Sequence, residues 1–204
     1  MNSIKKYTVV ALLVFSIIAA GQVSSNAEVA EYTIDQAHSQ VIFKVKHLAI
    51  STVTGRFDVF EGSYAFDSED ISNSNVNADI KAASINTNEK DRDDHLRSKD
   101  FFDVEQYPDI TFKSTSIKKA DGENFEIVGD LTIHGVTKEV TLDAVFEGSA
   151  KDPRGNERTA FVADGKIYRK DFGMTWNKVL EAGGLVVGDE VKITLEIQGV
   201  RKQG

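Results

Sequence analysis

The chain has 204 residues, of which 41% are hydrophobic and 27% charged, with no cysteine and a formal net charge of −8 at pH 7. The lack of cysteine excludes structural disulfides, thiolate nucleophiles, thiolate metal sites and a lipid-modified N-terminal cysteine. An acidic surface repels phosphate backbones and anionic headgroups, which argues against nucleic acid or a membrane surface as the main partner. The length suits one domain with a sizeable core.

Residues 1–27 have the pattern of a cleavable signal peptide. A lysine pair precedes the uncharged apolar run 8–20, which is too short to cross a bilayer as a helix. Ser25 and Ala27 place small residues at the two positions that a signal peptidase reads. We therefore expect cleavage after Ala27, an exported protein without a membrane span, and a single domain over residues 28–204.

From Gln40 onward, apolar residues recur at every second position, which is typical of strands with one buried face. The stretch from Phe57 to Phe66 places Phe57 and Val59 on the buried face and changes phase between Phe60 and Gly62, as a bulge or tight turn requires. The regular alternation covers residues 41–45, 76–82, 110–112, 127–133, 140–146, 161–167 and 191–197.

Turn residues separate these segments. The pairs Asp121-Gly122 and His134-Gly135, the run 152–155 and the pair Gly188-Asp189 each fall between strand-like stretches, which predicts consecutive hairpins. About eight strands with one apolar face each predict an all-β fold, a closed antiparallel β-barrel, because closure removes exposed edges. A sandwich of two sheets is the alternative, since alternation alone does not distinguish closure.

The charged segment 88–104 interrupts the strand pattern and predicts a short surface helix or an ordered loop inserted between strands. Its densest polar cluster, which contains His95 and Arg97, forms either ion pairs on a helix surface or a cap over the mouth of the barrel. The apolar residues of this segment suffice to dock one end of it on the barrel; they are Leu96, Phe101, Phe102 and Val104.

The four histidines, His38, His47, His95 and His134, are far apart and have no metal-binding spacing, so we expect neither a metal site nor a cofactor. His134 falls on a polar strand face beside a turn, where a histidine is usually solvated. His47 continues the inward phase of its strand, so it bonds either a ligand's polar head or a buried carbonyl. Trp176 packs in the core or at the rim, where its indole N–H can reach a ligand.

The inward-facing residues are almost all apolar, and no nucleophile motif accompanies them. An eight-stranded barrel is wide enough either to be filled by its own side chains or to hold one slender ligand. Small inward residues favour a cavity over a filled interior; they are Ala78, Ala82, Gly129, Ala144, Ala163 and Gly165.

Three ordered motifs resemble the YceI-like family. They are HS…FxVxHL…SxVxGxF over residues 38–57, DxxxHLRSxDFFD…YPxIxF over residues 91–112, and GxLTxHGVT over residues 129–137. The resemblance extends from about Tyr32 to Gly199. It implies a lipocalin-like barrel, a periplasmic location for exported members, and binding of a polyisoprenoid such as an isoprenoid quinone or a prenyl pyrophosphate.

Strand phase and this resemblance together mark a set of candidate ligand-binding residues. The leading hypothesis is non-catalytic binding, sequestration or transport of an isoprenoid lipid, and a homodimer is left open. The alternative is a hydrolase or isomerase of a prenylated substrate that uses His47 and His95, and a third hypothesis is a structural domain with a filled core. The candidates are Phe43, Val45, His47, Phe57, Ile80, His95, Arg97, Phe112, Leu131, Ile133 and Trp176.

Overall fold

The computed structural model describes residues 29–122, 124–179 and 185–203, so the expected signal peptide lies outside the described residues. No helix in these ranges is long and apolar enough to cross a membrane. The strands are β1 (Ala30–Ile34), β2 (Gln40–His47), β3 (Ser51–Phe57), β4 (Phe60–Phe66), β5 (Asn75–Lys81), β6 (Ile85–Asn86), β7 (Asp109–Lys119), β8 (Asn124–Ile133), β9 (Val136–Lys151), β10 (Glu157–Tyr168) and β11 (Val187–Arg201), and the α-helix is α1 (Lys90–Arg97).

The strand segments form a closed antiparallel barrel of eight strands, which confirms the predicted fold. The first three barrel strands are kinked, so each consists of two segments: β1 with β2, β3 with β4, and β5 with β6. Neighbouring barrel strands follow one another in the sequence. The barrel closes because β11 pairs with β10 on one side and with both β1 and β2 on the other.

The three kinks lie side by side and are bonded to one another. The Gln36 side chain donates from Nε2 to the carbonyl oxygen of Asp58 at 2.6 Å, and the Asp58 amide donates to the carbonyl of Ser84 at 3.1 Å. The Lys81 amide donates to the carbonyl of Val59 at 2.9 Å. Several backbone groups that the kinks remove from the strand pairing therefore have partners in the adjacent kink.

The phase change expected between Phe60 and Gly62 is wrong in position. It lies at Asp58 and Val59, because Phe57 and Phe60 are both buried while Val59 is 48% exposed. Two residues between inward side chains shift the alternation by one, which turns Val59 outward.

Two further details differ from expectation at the barrel seam. Gly188-Asp189 was expected to be a turn, but both residues lie within β11, at a register shift between Val187 and Val191. A β-bulge tolerates the same small and polar residues as a turn, so the sequence alone does not separate them. The short strand β1 lies before the start of the alternation, and its partners are the distant strands β4 and β11.

The two ends of the barrel differ. The end that we call the helix end contains the turn 48–50, the α1 segment (residues 87–108), the turn 134–135 and the stretch 169–179. The opposite end, the tyrosine end, contains the start of β1, the loop 67–74 and the turns 120–122 and 152–156. At the helix end β6 pairs with β3 but has α1 rather than a strand on its other side, so the α1 segment fills a gap in the wall.

The α1 segment contains the predicted short helix; polar contacts order it internally, and Arg97 attaches it to the wall. Glu89 caps the helix by accepting from the amides of the first turn. The buried carboxylate of Asp93 accepts from the amide of Thr87 at 2.8 Å and from its hydroxyl at 2.5 Å. Arg97 donates to the carbonyls of Ala83 and Ile85, both at 2.8 Å, and so ties α1 to the neighbouring kinked strand.

Candidate functional site: an apolar cavity inside the barrel

The barrel encloses a cavity with a volume of about 250 Å³. It extends from Leu96 and Phe102 of the α1 segment, at the helix end, to Phe66 and Ile71 at the tyrosine end. Its lining is almost entirely aliphatic and aromatic and comes from strands all around the barrel. The interior is thus not filled by its own side chains, and the sequence-based expectation of a cavity agrees with the geometry.

Several inward side chains on the cavity wall are less buried than residues in the solid parts of the core. Phe43, Phe112 and Ile193 point into the barrel but are only half-buried, because they face empty space. By contrast, Tyr32 is 1% and Phe172 is 2% exposed, and neither of them lines the cavity. Apolar surface that faces a cavity rather than packed atoms loses dispersion contacts, and an apolar ligand can restore them.

Within the described part of the chain, Arg169 is the one basic or acidic residue on this lining. It was not among the residues predicted from the sequence. It is 3% exposed, and its guanidinium donates to the carbonyls of Gly188, Met174 and Trp176 and to Asp189 Oδ1, at 2.6–3.1 Å. Burial lowers the pKa of the guanidinium, and the neighbouring carboxylate opposes that effect. Its inward phase after Ile167 was the available signal, but charge argued against burial.

Two tyrosines close the side of the barrel next to β1. The rings of Tyr32 and Tyr64 stack with centroids 5.1 Å apart, and Tyr64 Oη lies 2.6 Å from the hydroxyl of Thr159. Tyr32 donates to Glu157 Oε1 at 2.9 Å. A Cβ atom at Gly199 would lie 2.1 Å from Tyr64 Oη, so glycine is required there. Burial raises the pKa of both phenols from 10.0 to about 12, so both stay uncharged well into the alkaline range.

Seven of the candidate ligand-binding residues lie on the cavity wall. They come from strands β2, β3, β5, β7 and β8, on the faces that the alternation predicted. Whether each of them contacts a ligand stays a prediction. These residues are Phe43, Val45, Phe57, Ile80, Phe112, Leu131 and Ile133.

The four polar or amphipathic candidates lie outside the lining. His47 is the last residue of β2 and pairs with Val187 and Ser51 at the rim, so its inward phase does not bring it into the cavity. The Arg97 guanidinium is engaged by backbone carbonyls of the wall and by Asp94.

His95 and Trp176 form an aromatic cluster with Phe101 above the helix end. The His95 ring packs edge-to-face on Trp176 with centroids 4.8 Å apart and on Phe101 at 5.1 Å. Its Nε2 atom lies 3.0 Å from Asp100 Oδ2. Phe101 is buried and lines the cavity, so this cluster connects the α1 segment and the stretch 169–179 into one cover.

A family model of the YceI-like domain matches residues 32–199. The chain belongs to the YceI-like family. It is similar to a UPF0312 protein of Pectobacterium carotovorum, with 40% identity over 200 residues that cover 97% of this chain and 99% of the relative. The resemblance deduced from the three motifs is therefore confirmed.

Solved structures agree with this YceI-like barrel. The crystal structure of Burkholderia cenocepacia BcnA matches with a TM-score of 0.72 and 26% identity, over 81% of this chain and 98% of that chain. A structure from Saccharophagus degradans, described as a polyisoprenoid binding domain implicated in plant cell wall breakdown, matches with a TM-score of 0.63. It covers 86% of this chain and 100% of that chain, and at 17% identity it supports the fold alone.

Proposed function

We propose that this YceI-like protein binds the apolar chain of an isoprenoid lipid, such as an isoprenoid quinone or a prenyl pyrophosphate, and sequesters or carries it unchanged. The observation that supports this proposal is the slender apolar cavity that reaches from one end of the barrel to the other. Burial of a hydrocarbon chain there contributes about 0.8 kcal/mol per methylene, before the cost of ordering the chain.

The composition of the wall favours an uncharged ligand segment inside the barrel. The Arg169 guanidinium is already engaged by three carbonyls and Asp189, and the Tyr64 phenol is bonded to Thr159. A charged head group inside would lose its hydration without gaining a free partner. The polyisoprenoid binding described for the Saccharophagus protein fits the same kind of occupant, although the argument rests on the cavity of this chain.

We place the head group of the ligand at the helix end. His47 and Trp176 lie at that rim, and both are half-buried and outside the cavity lining. His95 belongs to the cover, and Arg97 acts through the attachment of α1, because its donors are engaged by the wall. A head group at this rim keeps its hydration while the chain is buried, as amphipathic ligands require.

We favour binding over catalysis because of where the histidines lie. An enzyme that used His47 or His95 would need one of them within reach of the bound substrate. None of the described histidines lines the cavity, and His95 directs its bonded Nε2 toward Asp100. We also propose that the protein acts in the periplasm after cleavage behind Ala27, which fractionation and N-terminal sequencing of the mature protein test.

The test is mass spectrometry of an organic extract from signal-processed protein purified from the periplasm, compared between variants with filled and unfilled cavities. Ala78→Phe with Ile193→Trp adds bulk at two positions on the cavity wall. Val162→Trp adds similar bulk to β10 at a residue outside the lining. We expect a stoichiometric isoprenoid in the wild type and in Val162→Trp, and its loss in the filled variant.

Thermal unfolding of the three proteins shows whether each barrel remains folded. A clean wild-type extract that takes up no isoprenoid when it is added later would contradict the proposal. Retention of the lipid by a folded Ala78→Phe, Ile193→Trp variant would place the lipid outside the cavity. An extracted prenyl compound that is chemically altered during incubation would support the enzyme hypothesis instead.

A further inference from the structure

The cavity ends at the tyrosine end on three side chains, Phe66, Ile71 and Phe161, which we call the cavity floor. The rings of Phe66 and Phe161 pack edge-to-face with centroids 5.1 Å apart. Behind them Phe146, which does not line the cavity, packs on Phe66 at 5.1 Å and on Phe161 at 5.3 Å. A ring that is held by other rings moves only if its neighbours move, because protein interiors are close-packed.

Phe161 joins the cavity floor to the barrel wall. Its ring packs edge-to-face on Tyr64 at 5.4 Å and on Phe125 at 5.9 Å. Tyr64 is itself stacked on Tyr32 in the closure of the tyrosine end. The ring contacts of the floor therefore involve strands β4, β8, β9 and β10, so its position relative to the wall is fixed.

Ile71 completes the floor from the loop 67–74, beside the rings. It begins the short 3-10 helix of this loop and lines the cavity. The Asp67 carboxylate accepts from the backbone amides of Glu69 and Asp70, both at 2.9 Å. Because these bonds fix the shape of the loop, Ile71 is held at the end of the cavity.

The cavity floor limits the length of chain that the barrel can hold. Phe125 and Ile133 both line the cavity and lie eight residues apart on β8. At about 3.4 Å per residue and a strand tilt of about 40°, this span corresponds to about 20 Å along the barrel axis. Phe125 packs on Phe161 of the floor, and Ile133 leads into the turn 134–135 at the helix end. A chain that enters at the helix end therefore has a limited distance before it meets the floor.

A fixed floor makes the binding of an apolar chain depend on its length. Each unit of chain that fits above the floor removes further apolar area from water and strengthens binding. A unit beyond that length has to stay in water at the mouth or bend back into space that the chain already fills. Since Phe66, Ile71 and Phe161 are all apolar, they respond to where the chain ends and bind no polar group on it.

We propose that the cavity floor selects isoprenoids by chain length, and that Phe66 and Ile71 are the residues that set this length. This inference rests on the proposed function, because it names which members of the isoprenoid class the barrel holds best. Phe161 packs on four other rings and therefore supports the whole end of the barrel. Phe66 is the last residue of β4 and Ile71 lies on a loop, where a change of side chain disturbs the wall least.

The test is competition for signal-processed, delipidated protein among prenyl alcohols that grow by single isoprene units from farnesol to solanesol, with mass spectrometry of the bound lipid. Phe66→Ala with Ile71→Ala deepens the cavity, and we expect the preferred chain to become longer. The ratio of the next longer alcohol to the wild-type optimum should rise at least about tenfold. Ile71→Trp raises the floor and should move the preferred chain to a shorter alcohol by a similar factor.

Ile133→Ala is the matched control, because it enlarges the same cavity at the helix end and leaves the floor in place. We expect it to keep the wild-type preference. Thermal unfolding shows whether each variant remains folded, and the opposite shifts expected for the alanine pair and Ile71→Trp separate the floor from a general loss of packing.

An unchanged preference in folded Ile71→Trp and in the folded alanine pair would overturn the proposal. So would an equal shift in Ile133→Ala, since total volume and not the position of the floor would then set the length.

A parallel series of n-alkyl alcohols separates this proposal from the proposed function. An alkyl preference that moves with the floor, while the wild type binds no prenyl alcohol, would support the floor and contradict isoprenoid binding. Prenyl alcohols that bind with an unmoved preference would support the function and contradict the floor. Binding of neither series would contradict both.

Discussion

The two ends of the barrel are closed by different means. At the tyrosine end, Tyr32 and Tyr64 stack inside the wall itself and bond to Glu157 and Thr159 of β10, the strand beyond β11. At the helix end, the closure is a separate piece of chain, the α1 segment, which fills a gap beside β6. The tyrosine closure is part of the barrel wall, whereas the α1 segment is attached to the wall from outside the strand pairing.

This difference indicates which end can open without unfolding the barrel. Displacement of the tyrosines would break the pairing of β1 with β4 and β11, which holds the barrel closed. Displacement of the α1 segment would break mainly the bonds from Arg97 to the carbonyls of Ala83 and Ile85 and the apolar contacts of its inner face. Local opening therefore requires less free energy at the helix end, as expected for an entry route.

The largest effect should come from the tyrosine end. Tyr64→Ala removes a ring stacked on Tyr32 and the bond to Thr159, so we expect a loss of about 3–5 kcal/mol in the free energy of unfolding. Urea denaturation measures this loss. Tyr168→Ala is the control, because Tyr168 is 47% exposed and should change stability by less than about 0.5 kcal/mol. Similar losses in the two variants would show that the tyrosine closure is not integral to the barrel.

Alkaline pH should weaken the tyrosine end next most strongly. Burial raises the pKa of Tyr64 from 10.0 to about 12 in the folded protein. A raised folded pKa means that this contribution is complete below about pH 10 and is lost as the pH rises to about 12. Tyr64 alone should lower the free energy of unfolding by about 2–3 kcal/mol over this range, and Tyr32 adds to the fall in the same direction. Urea denaturation across it should show a smaller fall in Tyr64→Phe, and an equal fall would assign the effect to other groups.

A smaller effect, confined to the helix end, should follow Arg97→Ala. The change leaves the carbonyls of Ala83 and Ile85 without their donor and costs about 1–3 kcal/mol. Hydrogen exchange should rise in the α1 segment and stay unchanged in β1 and β4. Lys90→Ala, on the exposed side of the same helix, removes only a surface ion pair with Asp94 and should leave exchange nearly unaltered. Faster exchange in β1 as well would mean that the two ends open together.

The smallest effects should come from two turns, one at each end, and should have opposite signs. Ala49→Gly removes the backbone strain of a residue in the left-handed region at the helix end and should stabilise the protein by about 1 kcal/mol. Gly122→Ala introduces the same strain at the tyrosine end, where a Cβ would meet no atom within 4 Å, and should destabilise it by about 1 kcal/mol. Thermal unfolding measures both. A destabilised Ala49→Gly would contradict the strain assigned to the turn 48–50.

The sequence predicted most of the wall, because alternation is a local property of each strand. The inward positions of Phe43, Phe112 and Leu131 follow from their neighbours in sequence, and the structure places all three on the cavity. Of the small inward residues that predicted the cavity, Ala78, Ala144 and Ala163 line it, whereas Gly129 and Gly165 make room for the side chains of Phe112 and Leu142. Strand β1 was not predictable, because it has five residues and its stability comes from strands more than 25 residues away in sequence.

The polar residues around the site were harder to place. Phase indicates the direction of a side chain but not the depth of its position. His47 was expected to point inward near the mouth of the barrel, and it lies at the rim, outside the cavity lining. Arg97 was a candidate for a ligand head group, but its partners are carbonyls at kinks that the sequence did not reveal. Arg169 is buried because three carbonyls and Asp189 converge on it, which only the folded chain shows.

The pairing of β11 with β1 and β2 has a consequence for the order of folding. Strands β1 and β2 cannot pair with β11 until that strand, Val187–Arg201, has been synthesised. Contacts of such long sequence separation form slowly, because a loop of nearly the whole domain must close first. Until then, the emerging chain has two unpaired edges that can join those of other chains. A chaperone that shields β1 and β2 during this interval would raise the yield of the closed barrel more than one that acts on the central strands.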